Sequence, residues 1–232
     1  TEDPVASWKE HDATLKAKCE YLNSLSIESL HYTSKEGTDL TVGFMKDSIF
    51  LGGGESSLGK GIYFQPNIPS EECFTSPESG KAEGIVYATM PLSYQGMLIE
   101  NFWIRFKDGK AVEWGAEKNV EALTKIIGMD DGAAKLGECA LVPNTSPIRQ
   151  SGILFYNTLF DENATCHLAL GKGFDMCVRG YEEKGSAKCK EEGVNESMIH
   201  VDFMIGSDSL DIDAKTRDGR IVPVFRGGDW AF

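Results

Sequence analysis

The sequence predicts an α+β fold, a largely antiparallel β-sheet with a few flanking helices. Three observations carry that expectation. Short apolar runs punctuated by turn residues recur from about residue 27 to 115, and again from 197 to the C-terminus. Helical periodicity is confined to a few stretches. No strand–helix–strand rhythm of the kind that builds a parallel sheet runs along the chain. With 232 residues, 41% of them hydrophobic, the chain is long enough for one well-buried domain, and no linker or internal repeat divides it. Residues 1–232 are therefore read as a single domain.

Each element has a local reason. Asp3-Pro4 reads as an N-cap followed by a first-turn proline. Trp8, His11, Leu15, Cys19 and Leu22 then recur at helical spacing, predicting an amphipathic helix over 4–24. "LHYTS", "DLTVGF", "SIFLGG", "GIVYATM" and "MLIENFWIRFKDGKAVEW" read as strands, with Asp108-Gly109 as a tight hairpin turn in the last. Val120, Leu123, Ile126 and Ile127 restore the helical period over 117–127, and Gly128 ends it. "GECALVP" and "GILFYN" read as short buried strands, and "DENATCHLALG" as a helical turn or short helix ending at Gly171. Residues 180–196, polar and rich in Gly and Lys, read as a loop. A strand in "SMIHVDFMIGS" follows, and Asp218-Gly219 and Gly227-Gly228 predict closing hairpins.

Composition narrows the function. Thirty-six acidic against 23 basic residues give a formal charge of −13. An acidic surface argues against nucleic acid or anionic lipid as partner. No run of 18 apolar residues occurs, so no helix is expected to span a membrane. The six cysteines show no C-x-x-C pair and read as reduced, buried thiols. Asn144, Asn163 and Asn195 each begin an N-x-S/T triplet, read as chance because no secretory signal precedes them. "GESSLGKG", residues 54–61, nearly matches a phosphate loop. Gly61 stands where the magnesium-binding hydroxyl belongs, and Pro66 and Pro69 forbid the helix that should follow, so it reads as a turn between strands.

The chemistry-bearing residues sit inside segments that otherwise look buried. His200 and Asp202 interrupt an apolar strand and share one face of it. Glu71-Glu72 precede Cys73-Phe74, Glu138 opens an apolar strand, and His167 follows Asp161-Glu162-Asn163. Burying so many carboxylates without partners would cost several kcal/mol each. Carboxylates and neutral imidazoles together are donors for zinc, cobalt or manganese, and a two-metal site needs about this many. Spacing alone does not show that these segments converge.

"PNIPSEECFTSPESGKAEGIVYATMPLSYQGMLIENF", "LGECALVPNTSPIRQSGILFYNTLFDENATCHLALG" and "NESMIHVDFMIGSDSLDIDA" resemble the metalloaminopeptidase family that includes aminopeptidase T and aminopeptidase S. The resemblance runs from "DPVASW" to "WAF". It implies a cytoplasmic, dimeric exopeptidase with two divalent metal ions (zinc, cobalt or manganese) that acts on peptides with a free N-terminus. By motif, it implies metal ligands at Glu72, Glu138, His167, His200 and Asp202. Family members are longer, with an N-terminal domain absent here, so the resemblance implies that this chain is the C-terminal, metal-bearing part of a longer protein. The homodimer is the form it implies for the full-length protein.

One departure concerns catalysis. Seven residues after His167 the family carries a Tyr thought to assist the reaction, and Phe174 stands there instead. Phe174 either forgoes an oxyanion donor or simply fills the same aromatic slot. Glu71, beside Glu72, is the candidate general base, with a solvent-facing role as its alternative because adjacent residues on an extended chain point apart. Glu162 is a candidate to orient His167. The expected activity is hydrolysis of the N-terminal peptide bond by a water activated between two metals. The alternative is a non-catalytic module that binds metal or peptide on a peptidase scaffold.

Overall fold

A computed structural model describes residues 2–57 and 59–232 of the chain; Thr1, and Leu58 within the glycine-rich segment, lie outside it. Helix α1 (Pro4–Ser24) starts where the sequence places it, because the Asp3 carboxylate accepts from the Ala6 N–H at 3.0 Å. Its buried stripe is Leu15, Cys19 and Leu22.

Strands β1 (Ile27–Thr33) and β2 (Asp39–Gly43) follow, then a small hairpin of β3 (Glu55–Ser56) and β4 (Tyr63–Phe64). Next come β5 (Cys73–Thr75), β6 (Ala82–Tyr87), β7 (Leu92–Tyr94), β8 (Met97–Ile99), β9 (Trp103–Lys107) and β10 (Lys110–Gly115). Helix α2 (Val120–Ile127) leads to β11 (Leu136–Leu141), two short helices α3 (Pro147–Gln150) and α4 (Thr158–Asp161), and β12 (His167–Gly171). Helix α5 (Tyr181–Glu192), β13 (His200–Met204), β14 (Asp211–Thr216), β15 (Ile221–Arg226) and β16 (Asp229–Trp230) complete the chain.

Two antiparallel sheets organise the molecule. The larger has eight strands in the order β10-β9-β6-β2-β1-β14-β15-β16, and the smaller has four in the order β13-β12-β11-β5. Asp108 (φ 50°) and Gly109 (φ 75°) both turn left-handed at the β9–β10 hairpin, as a two-residue turn requires. A Cβ on Gly109 would also lie 2.1 Å from the Gly80 backbone. Side chains of both sheets merge in one core: Leu30, Leu40 and Ile104 from the large sheet join Cys139, Leu168 and Phe203 from the small one. The buried Tyr32 hydroxyl lies 2.7 Å from Cys139 Sγ and ties β1 to β11. The α+β architecture with a largely antiparallel sheet is thus the one expected. All six cysteines are free and buried. No helix among the described residues is long and apolar enough to cross a membrane.

Four local expectations are corrected. "SIFLGG" forms only isolated bridges, Ser48 to Val178 and Leu51 to Phe74, because three glycines end any regular pairing there. "GILFYN" is an exposed loop, with Ile153 55% and Tyr156 63% accessible; the Asp161 carboxylate accepts from the Phe155 and Asn157 N–H groups and holds the bend. "DENATCHLALG" is helical only through Ala164, after which His167–Gly171 is a strand. Every residue of that strand is buried, which erases the alternation that would have marked it. Residues 181–192 form helix α5 rather than a loop, with only Cys189 buried. Its charged residues are good helix formers, and Glu182 and Glu183 in the first turn with Lys190 in the last suit the helix dipole. The N-x-S/T asparagines are buried, Asn144 at 8%, Asn163 at 1% and Asn195 at 3% exposure, which fits their reading as chance.

Candidate metal centre

Register on the small sheet assembles the site. Glu138 pairs with Ala169, and Ala169 with Asp202, so these three side chains form one row across β11, β12 and β13. His167 lies two residues from Ala169 and His200 two from Asp202, which places both imidazoles on the same face. The opposite face carries Cys139, Leu168 and Phe203 into the core. Ala169 stands between the two carboxylates in that row. Gly137 permits the close approach of β11 to the chain at 171–172, where a Cβ would lie 2.3 Å from the Lys172 carbonyl. A register shift between Leu136 and Glu138 accompanies it.

Glu72 reaches this face from the segment before β5. That segment is held on both sides: Asn163 Oδ1 accepts from the Glu71 N–H at 2.7 Å, and His11 Nε2 lies 2.7 Å from the Ser70 carbonyl. Neither partner carries a sequence signal for this role, although Asn163 sits inside the D-E-N-A motif.

Two groups of donors result. Atoms of Glu72, Glu138 and His167 lie within 4.8 Å of one another, and so do atoms of Glu138, His200 and Asp202. Glu138 belongs to both. His167 Nε2 is 3.2 Å from Glu72, while His200 Nε2 is 3.0 Å from Glu138 and 3.2 Å from Asp202. The other His200 nitrogen, Nδ1, lies 2.7 Å from the Lys172 carbonyl, which fixes the ring for a metal to approach Nε2.

Electrostatics mark the site as short of positive charge. Burial, reinforced by the charges of Glu72 and Asp202, pushes the Glu138 carboxyl up to about 7. Burial opposes charge on the imidazoles too, yet Glu72 holds His167 up to about 10 and Asp202 with Glu138 holds His200 up to about 11. Glu72 Oε2 and Asp202 Oδ1 are buried with no well-aligned hydrogen-bond donor, each meeting only an imidazole Nε2 at 3.2 Å. Buried carboxylate oxygens that meet only imidazoles are what divalent cations would satisfy, so the residues present fit a metal centre.

A cavity of about 310 Å³ opens over these donors, lined by Glu72, Glu138, His200 and Asp202 and walled by Phe74, Phe174 and Met176. Glu162 lines it as well; burial pushes its carboxyl up to about 8, and Asp202, Glu72 and Glu138 add to the rise against the opposing charge of His167. Phe174 stands 4.8 Å from the His200 ring, centroid to centroid, and 5.8 Å from Phe74. Glu71 is placed elsewhere. Its carboxylate lies 3.6 Å from His11 Nε2 and is absent from the cavity wall.

Fold and site together define an antiparallel α+β scaffold presenting a buried carboxylate–imidazole centre on one sheet face. The sequence matches the family described as thermophilic metalloprotease (M29) over residues 1–230, and the chain belongs to that family. It is 46% identical to "Aminopeptidase 2" of Geobacillus stearothermophilus over 235 residues, covering 100% of this chain and 55% of that protein. It is 44% identical to "Aminopeptidase T" of Thermus aquaticus, covering 99% of this chain and 55% of the relative. The solved structure of wild-type AmpT from Thermus thermophilus superposes with a TM-score of 0.91 at 41% identity, over 99% of this chain and 56% of the other. The chain therefore spans about half the length of the relatives it matches. A dioxygenase from Pseudomonas putida KT2440 shares the fold alone, at 17% identity and a TM-score of 0.62 over 96% of this chain and 60% of that one.

Proposed function

We propose that the protein is a metal-dependent aminopeptidase that hydrolyses the N-terminal peptide bond of peptides at a two-metal centre. The observation that carries this reading is Glu138, common to two three-donor groups on one buried sheet face. Glu72, Glu138 and His167 would hold one cation, and Glu138, His200 and Asp202 the other, with Glu162 a further oxygen donor at the cavity wall. The bound cations would lower the pKa of a water toward neutrality and polarise the scissile carbonyl.

The chain's own residues do the rest. The small-sheet register fixes four of the donors, while Asn163 and His11 fix the loop bearing Glu72. Phe74, Phe174 and Met176 exclude water from the reacting bond and offer apolar contact to the substrate's first side chain. A general base at Glu71 would require its side chain to leave His11. Glu71→Gln is accordingly expected to change kcat by less than about threefold, where loss of a working general base costs about 10²–10⁴-fold. Steady-state kinetics of the variant check this, and a hundredfold loss would restore Glu71 to the reaction.

The test of function is release of N-terminal residues from unblocked peptides by the zinc-, cobalt- or manganese-loaded protein, abolished by a chelator and by N-terminal acetylation of the peptide. Phe174 favours a second reading, a non-catalytic module that binds metal and peptide, because Phe offers no hydroxyl at the reacting carbonyl. Peptide binding by the loaded protein without product would establish that second reading and sink the first.

A further inference from the structure

The donor-lined cavity has a neighbouring cleft with which it shares wall residues. Glu55 and Met176 line both, and this second cleft measures about 810 Å³. The first cavity ends on the buried carboxylates of Glu72 and Asp202. The second cleft is lined by apolar Ile49, Leu51 and Phe64 and by three exposed carboxylates. The carboxylates are those of Glu55 on β3 and of Glu182 and Glu183 at the start of α5. Burial, and after it the charges of Glu182 and Glu55, push the Tyr181 hydroxyl upward.

Glu55 is held in place from the side of α1. The Asp12 carboxylate accepts from the Gly54 N–H and from the Tyr63 hydroxyl, both at 2.5 Å, so the hairpin carrying Glu55 is tied down at each strand. Burial raises the Asp12 pKa, but these bonds outweigh it and hold the carboxyl down at about 2, so the tie persists throughout the neutral range. Arg179 is the one cation among the described lining residues. The three carboxylates of Glu55, Glu182 and Glu183 outnumber it. The cleft therefore stays acidic.

An exopeptidase must enclose the substrate's first residue and let the remainder leave through a wider space. We propose that the second cleft receives the residue after the cleaved bond, and that Glu55, Glu182 and Glu183 select peptides with lysine or arginine there. This rests on the aminopeptidase reading. A long cationic side chain matches both features of the cleft, its methylene stem on Leu51 and Phe64 and its charged head among the carboxylates. An acidic side chain at that position is repelled by the same groups.

The test compares kcat/KM of the metal-loaded protein on Leu-Lys-Gly, Leu-Gln-Gly and Leu-Glu-Gly, with leucine p-nitroanilide in parallel. The order Lys > Gln > Glu is expected, with about a tenfold or greater span from Lys to Glu, since each exposed ion pair contributes up to about fivefold. The span should contract as salt is raised from 0.01 to 0.5 M. In Glu182→Gln/Glu183→Gln it should fall toward the effect of the single remaining carboxylate; both positions are exposed on a helix that tolerates glutamine. Leucine release from the anilide with no preference among the tripeptides overturns the selection and leaves the aminopeptidase reading standing. A span that the double substitution leaves intact overturns the assignment to these residues. Failure to release leucine from any substrate overturns both.

Discussion

Glu138→Gln is expected to abolish the thermal stabilisation that zinc, cobalt or manganese gives the parent protein, and to lower peptidase activity by more than about a hundredfold. The magnitude follows from position. Residues that only support metal ligands cost about 10–100-fold when replaced, and Glu138 supplies an atom to both donor groups. A ligand that binds only the folded state stabilises it by RT ln(1 + [L]/Kd), about 2.7 kcal/mol at a hundred times Kd. Without metal the sign reverses. Glu138 is buried beside the negative charges of Glu72 and Asp202, so a neutral amide of the same shape removes repulsion and should leave the metal-free variant at least as stable as the metal-free parent. Calorimetric scans with and without metal, alongside elemental analysis, read both effects. A variant with the parent's metal-dependent rise in Tm would show that Glu138 does not hold the ions.

Why this centre was only partly legible in the sequence is a matter of which interactions are local. His200 and Asp202 betray themselves because two polar residues at a spacing of two interrupt an otherwise apolar strand, and period-2 alternation is a local property. Glu138 and His167 lie in strands buried on both faces, where no alternation survives to show which way a side chain points. Their meeting with Asp202 depends on register across three strands, through Ala169, and register is set by long-range packing rather than by any one segment. Glu72 is harder still. It stands outside a strand and is aimed by Asn163 and His11, from segments about 90 and 60 residues away in sequence. Only the resemblance of whole motifs could bring it into the set.

The same contrast explains the fold. Helix α1 and the β9–β10 hairpin carry their own caps and turn residues, so they could be read directly. Helix α5 buries little besides Cys189, and its Gly185 sits at φ 73°, so neither an apolar stripe nor an unbroken run of helix formers announced it. That missed helix is the wall bearing Glu182 and Glu183, which is why the second cleft had no counterpart in the sequence.

Phe174→Tyr is expected to raise kcat by about tenfold or more with little change in KM. The aromatic ring already lies on the cavity wall, against His200 on one side and Phe74 on the other. Its backbone is fixed where the Phe174 N–H donates to Ser76 Oγ at 2.7 Å, which keeps the ring that would carry the hydroxyl on the cavity wall. A hydroxyl there can donate to the oxygen of the tetrahedral intermediate, where charge develops, and a donor that acts only as charge develops changes kcat rather than substrate affinity. Removing one well-placed donor of this kind costs about 2.7–4 kcal/mol in the barrier, or about 10²–10³ in rate. A donor introduced into a wall shaped around phenylalanine should recover part of that range, hence the smaller expected gain. Metal content measured on both proteins separates the effect from a change in loading. An unchanged or lower kcat at equal metal content would mean that the missing hydroxyl does not limit the reaction, and that Phe174 serves only to fill the wall between His200 and Phe74.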